Sequence, residues 1–222
     1  MTFDIQVIID HLPEIASGFG LTILCTVVAA LIAMVLGLFV ALGLMSKAAV
    51  FRYPVRLYVE IIRGTPFLIQ LFLLYYGGPS FGLYLEPIEA GIIGLAIYCS
   101  AYFAELFRSG FNSISLGQLE AAQIMGFSKI SVLWRIQIPQ MMVLITPGLV
   151  NICIILGKET TILSIVTVPE LAFVLTGIGS ETYAYAETLT VLAISYLILS
   201  ELTARFGSWT EKRLSKYMER SI

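Results

Sequence analysis

Between Ile15 and Ser46 the sequence holds no Asp, Glu, Lys or Arg, an uninterrupted run of 32 residues. A helix crosses the roughly 30 Å hydrocarbon core of a bilayer with about 20 apolar residues, so this run is long enough for one complete span. Lipid offers backbone groups no hydrogen-bond partners, and only helices and closed barrels satisfy them all internally. Two further runs, Gly64–Leu85 and Ile136–Gly157, are also free of charge. Between Glu89 and Arg108 the only charge is Glu105, and between Glu187 and Arg205 it is Glu201. The sequence therefore predicts an all-α membrane protein of five transmembrane helices, near residues 16–45, 57–78, 88–110, 137–157 and 186–206, in one domain covering 1–222. The segment 158–185, with Pro169, Gly177 and Gly179, is expected to form short helix and loop near one membrane face.

Composition agrees. Charged residues make up 13% of the chain and hydrophobic ones 58%, whereas a soluble domain carries roughly 25% charge. Too little polar surface is present to cover a water-soluble globule, which excludes an ordinary cytosolic enzyme. Lys and Arg number 13 against 15 Asp and Glu, leaving no basic excess with which to bind nucleic acid.

Basic residues mark the cytoplasmic side of a membrane protein. The first residues carry Asp4, Asp10 and Glu14 but no Lys or Arg, and Lys47, Arg52 and Arg56 follow the first span. The N-terminus is thus expected outside and the first loop inside. Alternation puts Glu86 and Glu89 outside, and Arg108, Lys129, Arg135 and the tail (Arg205, Lys212, Arg213, Lys216, Arg220) in the cytoplasm. With Arg63 counted at the cytoplasmic end of the second span, Lys158 is the one basic residue off that side. The absence of a basic n-region argues against a cleaved signal peptide. Cys25, Cys99 and Cys153 lie in apolar segments without metal-ligand or redox spacing and read as small buried hydrophobes. His11, in the outer tail, is the sole histidine, so no histidine-based metal site or catalytic triad is expected.

The longest cytoplasmic connection runs from about Ser113 to Arg135. Leu119, Ala122, Ile124 and Met125 give a short helix a weakly apolar face, and Gly126 can adopt the positive φ that ends a helix sharply. Ser128 is a candidate N-cap for a second short helix. On physical grounds alone the loop either rests on its own bundle or docks on a partner.

The order Glu120-Ala121-Ala122, three residues, Gly126, nine residues, then Ile136-x-Ile138-Pro139 resembles the EAA loop of bacterial ABC importer permeases, with Ile138 in place of the usual Leu. Further segments resemble the polar-amino-acid branch of that family: Arg63-Gly64-Thr65-Pro66 with Gln70, then Ala101-Tyr102-x-Ala104-Glu105-x-x-Arg108-x-Gly110. Pro139-Gln140, Pro147, Asn151, Lys158-Glu159-Thr160-Thr161 and Glu170-Leu171 continue the match in order. The resemblance implies the type I importer permease fold, with a coupling helix between spans 3 and 4 in a loop of about residues 113–138. It implies ATPase-coupling roles for Gly117, Glu120, Ala121, Ala122, Gly126 and Pro139. It also implies partners: a dimer of ATPase subunits, a second permease subunit (identical or paralogous), an external solute-binding protein and membrane lipid. The chain has no Gly-x-x-x-x-Gly-Lys-Ser/Thr; its nearest fragment, Gly157-Lys158-Glu159-Thr160, has Ile152 where the first glycine belongs. No cofactor is expected on this chain, ATP and Mg being held by the ATPase partner. The resemblance places the protein in the bacterial inner membrane as a multi-pass transport subunit rather than an enzyme.

Ionisable residues deep in a span cost about 2.5–3.5 kcal/mol on insertion scales and need a reason to be there. Glu105 and Arg108, three residues apart, read as an ion pair at the headgroup boundary. Tyr98 and Tyr102 lie one helical step apart, with Ser100 between them; Tyr98, about ten residues into its span, sits near the midplane, where transporter substrate sites tend to lie. Substrate contact and helix packing are both open for these residues. The sequence has Tyr98-Cys99-Ser100 where relatives often carry Asn-Ser and a small residue. Lys158 and Glu159 do not face one another as helix neighbours, so each needs its own partner. A zwitterionic amino acid offers a carboxylate for one and an ammonium for the other, with Asn151 on roughly the same face; an interhelical or cross-subunit salt bridge is the alternative. Glu187 and Glu201 read as boundary or packing residues.

These observations predict a permease subunit for polar amino acids, with another small polar solute (an opine, cystine) or an ion-gradient-driven transporter as alternatives.

Overall fold

The computed structural model describes residues 3–219. Arg220, counted above with the cytoplasmic tail, lies outside the described residues. Among these residues there is no strand. A short helix α1 (Gln6–Asp10) leads into α2 (Leu12–Leu44), the first span. Its buried face is a stripe of small residues, Gly18, Thr22, Cys25, Ala29, Ala33, Gly37 and Ala41, while Leu31, Val35 and Phe39 on other faces are exposed. That inversion suits lipid, where helices associate by close approach of small side chains rather than by hiding apolar ones.

The stripe packs on α5 (Pro87–Asn112), the third span. Helix α5 starts with Pro87 in its first turn, and the backbone N–H of Glu86 donates to the Glu89 carboxylate at 3.1 Å, as a capping box requires. A Cβ at Gly37 would stand 2.7 Å from Phe103 Cβ and 2.9 Å from the Ser100 carbonyl oxygen. Gly37→Ala is therefore expected to destabilise the α2–α5 contact by about 1–3 kcal/mol, read as a lower melting temperature in detergent. Gly20→Ala, where a Cβ meets nothing within 4 Å, should melt no lower than the parent.

The expected second span, 57–78, is not a single helix. Residues 57–64 belong to α3 (Ala49–Gly64), and the chain turns through 109° before α4 (Phe67–Phe72), which loosens into a π turn (Leu73–Gly77) and a 3-10 turn (Gly78–Phe81). The cause is local. A residue before proline is driven into extended conformation, and Thr65 has φ −121° and ψ 146°. Helix α3 also carries Arg52, Arg56, Glu60 and Arg63, too much charge for a hydrocarbon core.

The loop after α5 forms α6 (Leu116–Ile124) and α7 (Lys129–Val132); a π turn (Leu133–Gln137) then joins α8 (Ile138–Glu159), the fourth span. Residues 160–166 wind as a 3-10 turn, Thr167 (φ 63°) reverses the chain, and α9 (Leu171–Thr182) packs against α2 and α10. With twelve residues, α9 is too short to cross a bilayer, in line with the short helix expected for this segment. The fifth span, α10 (Tyr185–Glu219), runs beyond its expected end at 206 and takes Lys212 and Arg213 into the same helix, the Arg213 guanidinium lying 4.0 Å from the Trp209 ring centre. Cys25 and Cys99 are buried and Cys153 half-buried, all three free.

Candidate functional site

The polar loop is built to present a surface. Helix α6 ends in a complete Schellman arrangement: Phe127 N–H donates to the Ala122 carbonyl at 3.1 Å and Gly126 N–H to the Gln123 carbonyl at 3.0 Å, with Gly126 at φ +79°. A left-handed residue closes the last turn there, which is the conformation glycine adopts without penalty. Ser128 then caps α7, its Oγ accepting the Ser131 N–H at 3.2 Å. Ile114, Ala122 and Val132 are buried and anchor the loop on the bundle. Gly117, Glu120 and Ala121 face outward. So do Leu116, Ile124, Met125, Ile130 and Trp134, between 64% and 87% exposed. Such a concentration of apolar side chains around a capped turn, on a loop otherwise polar, is the composition of a contact surface. Pro139, exposed in the first turn of α8, ends the segment.

The Arg63-Gly64-Thr65-Pro66 segment and Gln70 make the corner between α3 and α4. The last carbonyls of α3 have no intrahelical donor. Thr65 Oγ1 donates to the Ile61 carbonyl at 2.9 Å, and Gln70 Nε2 donates to the carbonyls of Ile62 at 2.8 Å and Thr65 at 3.1 Å. Arg63 lies over the Tyr102 ring, 5.3 Å from its centre.

Tyr102 is joined to Tyr98 by a 3.1 Å hydrogen bond between their hydroxyls, and the Tyr98 ring packs on Phe67 with centroids 5.1 Å apart. Contacts thus run from Arg63 through Tyr102 and Tyr98 to Phe67. Glu159 is half-buried at the end of α8. Ser100 is elsewhere: fully buried, with its hydroxyl 2.6 Å from that of Tyr58 and 2.8 Å from the Ile97 carbonyl it donates to. Lys158 and Asn151 are exposed. Among the described residues, neither Lys158 nor Glu159 has an ion-pair partner, whereas Glu105 and Arg108 are paired at 2.6 Å, Arg56 and Glu60 at 2.8 Å, and Glu201 and Arg205 at 2.8 Å. Glu187 accepts the Asp4 N–H at 2.9 Å, tying the N-terminal segment to α10.

Sequence reasoning gave Glu170 no role of its own. It is fully buried and accepts from the backbone N–H of Ala172 (3.0 Å) and Phe173 (2.8 Å), and from Thr22 Oγ1 (3.4 Å) and the Tyr196 hydroxyl (3.2 Å). The available signal was its isolation, for it is the only Asp, Glu, Lys or Arg between Glu159 and Glu181.

A helical bundle with a broken second span and an exposed, capped loop between its third and fourth spans is the architecture of a multi-span membrane protein. The chain belongs to the family of binding-protein-dependent transport system inner membrane components, whose profile matches residues 33–216. It is 33% identical to the probable amino-acid ABC transporter permease protein YckA of Bacillus subtilis (strain 168), over 97% of this chain and 96% of that protein. It is 30% identical to the arginine transport system permease protein ArtQ of the same organism, over 96% of this chain and 98% of that one. A crystal structure of an amino acid ABC transporter with histidines contains a chain that superposes with a TM-score of 0.88 at 35% identity, covering 96% of this chain and 100% of that one. The resemblance, the membrane location and the type I permease fold read from the sequence are thereby established.

Proposed function

We propose that the chain is the transport subunit of an ATP-driven importer of polar amino acids, working by alternating access. Two permease subunits, identical or paralogous, form the pathway, and an external binding protein delivers the solute. A dimer of separate ATPase subunits binds ATP and Mg and supplies the driving force. The N-terminus faces outward and the coupling loop inward, in keeping with the distribution of basic residues. In this reading the exposed face of α6, with Gly117, Glu120 and Ala121, and the capped turn at Gly126 seat in the ATPase subunit. Ala122 holds that face on the bundle and Pro139 opens α8 at the end of the loop, so closure of the ATPase dimer is passed into α5 and α8.

The observation that carries the cargo assignment is the adjacent pair Lys158 and Glu159, opposite in charge and without ion-pair partners in the described chain. Intramembrane charges are retained where they bind something. An α-amino acid satisfies both, its carboxylate at Lys158 and its ammonium at Glu159, with Asn151, Tyr98 and Tyr102 as neutral hydrogen-bonding groups along the path. Ser100, committed to Tyr58 and the Ile97 carbonyl, supports the α3–α5 contact beside it.

The test is the amino-acid concentration giving half-maximal stimulation of ATP hydrolysis by the purified complex. A hydrogen bond to a charged group contributes about 1.5–3 kcal/mol, so Lys158→Gln and Glu159→Gln should each raise that concentration by about tenfold or more. An unchanged value in both variants would remove the pair from the cargo path. Stimulation by an opine or by cystine, and not by free polar amino acids, would reassign the cargo.

A further inference from the structure

Helix α3 has two opposed stripes. Arg52, Arg56, Val59 and Arg63 recur at spacings of three and four and share one face. Val50, Leu57 and Ile61 lie opposite, 80%, 58% and 53% exposed. Because the chain turns through 109° after α3, this helix lies across the direction of the span that follows it. A helix so oriented, basic on one side and apolar on the other, has the character of one that rests in the membrane interface.

Between its basic stripe and α5 is a cavity of about 620 Å³, lined on its charged side by Arg52, Arg56, Glu60, Arg63, Glu105 and Arg108. Arg56 is paired with Glu60 and Arg108 with Glu105. Arg52 and Arg63 have no carboxylate partner among the described residues; each guanidinium lies instead near an aromatic ring, Tyr53 at 5.7 Å and Tyr102 at 5.3 Å. The cavity therefore holds two positive charges that no carboxylate among the described residues neutralises. It lies on the side that the basic residues mark as cytoplasmic, where anionic lipids give the leaflet surface its negative potential.

We propose that this cavity binds the headgroup phosphate of an anionic phospholipid of the cytoplasmic leaflet. Arg52 and Arg63 supply the uncompensated charge, and their fixed N–H donors suit phosphate oxygens. The apolar stripe of α3 lies among the acyl chains of the same leaflet. The stripe, on the face of α3 away from the cavity, sets this helix at headgroup depth, where lipid phosphates are concentrated and free phosphate is not; a partner protein would use the stripe without needing a phosphate. The proposal does not depend on which solute is carried.

The test is the shift in melting temperature of the purified permease–ATPase complex in neutral detergent, titrated with phosphatidylglycerol, phosphatidylcholine or inorganic phosphate. Phosphatidylglycerol should stabilise the complex saturably, and the other two should not. Each basic residue near an anionic surface contributes about 1 kcal/mol, about fivefold in affinity. R52Q/R63Q should thus need about 25-fold more phosphatidylglycerol for the same shift, and R52K/R63K, which keeps the charge but not the guanidinium fork, should recover only part of it. R52Q alone, at an exposed position, carries the same test at about fivefold if the double variant does not fold. E60Q removes a carboxylate from the lining and should lower the lipid concentration required. An undiminished response in R52Q/R63Q, or an equal response to inorganic phosphate, would overturn the lipid site. Loss of the ATPase subunit from R52Q/R63Q with its phosphatidylglycerol response intact would make α3 a subunit contact, and would equally overturn it.

Discussion

Glu170→Ala is expected to lower the stability of the bundle by ~3–5 kcal/mol, at roughly 1–3 kcal/mol for each buried donor left without an acceptor. The carboxylate is fully buried and accepts from two backbone N–H groups at the start of α9, from Thr22 on α2 and from Tyr196 on α10. Tyr196 also meets Thr160 at 3.2 Å, and Leu171 N–H donates to Thr22 Oγ1 at 3.1 Å. Glu170 therefore ties two spans to the short helix α9, and Tyr196 extends the network to the 3-10 turn. Every group around it is a donor toward it, which an ionised carboxylate satisfies and an amide satisfies only in part. Glu170→Gln should accordingly lose less than Glu170→Ala but should not match the parent. Reversible unfolding in mixed micelles measures both. Parental stability in Glu170→Ala would show that the carboxylate is not what joins these elements.

Gly126→Val is expected to cut ATP-driven transport by about tenfold. The left-handed conformation costs an L-residue about 1–2 kcal/mol, and a branched Cβ makes it worse; that cost is on the order of a tenfold loss of the docking-competent loop. No atom lies within 4 Å of a Cβ placed at Gly126, so the effect is conformational and does not come from a clash. The bundle should melt at the parental temperature while ATPase binding and uptake fall together. Gly126→Asn, which tolerates the left-handed region better, should retain most of both.

The fold was legible wherever charge alone decides. Runs with no Asp, Glu, Lys or Arg located the first and fourth spans to within a few residues, and a run interrupted only by Glu105 located the third, because charge is costly in lipid. The second span was misplaced for the same reason in reverse. Its expected start at 57 took in Glu60 and Arg63, which an interfacial helix accommodates and a buried span does not; Thr65-Pro66 was the visible break. Gly126 and Ser128 were readable because capping is set within a few residues. Ser100 shows the limit. It is two residues from Tyr98, but two residues are about 200° around a helix, and its hydroxyl meets Tyr58 on a different element. Glu170 needed the tertiary structure, since its partners Thr22 and Tyr196 lie 148 and 26 residues away in sequence.

The central claim is that this chain moves solute only when coupled to an ATPase through the loop containing Gly126. The most direct measurement is uptake of a labelled polar amino acid by proteoliposomes holding the permease with or without its ATPase subunit, with binding protein outside and ATP inside. Uptake is expected only when the ATPase subunit and ATP are both present, and it should fall about tenfold in Gly126→Val. Uptake by the permease alone, driven by an ion gradient, would contradict the account. So would full ATP-driven uptake in Gly126→Val.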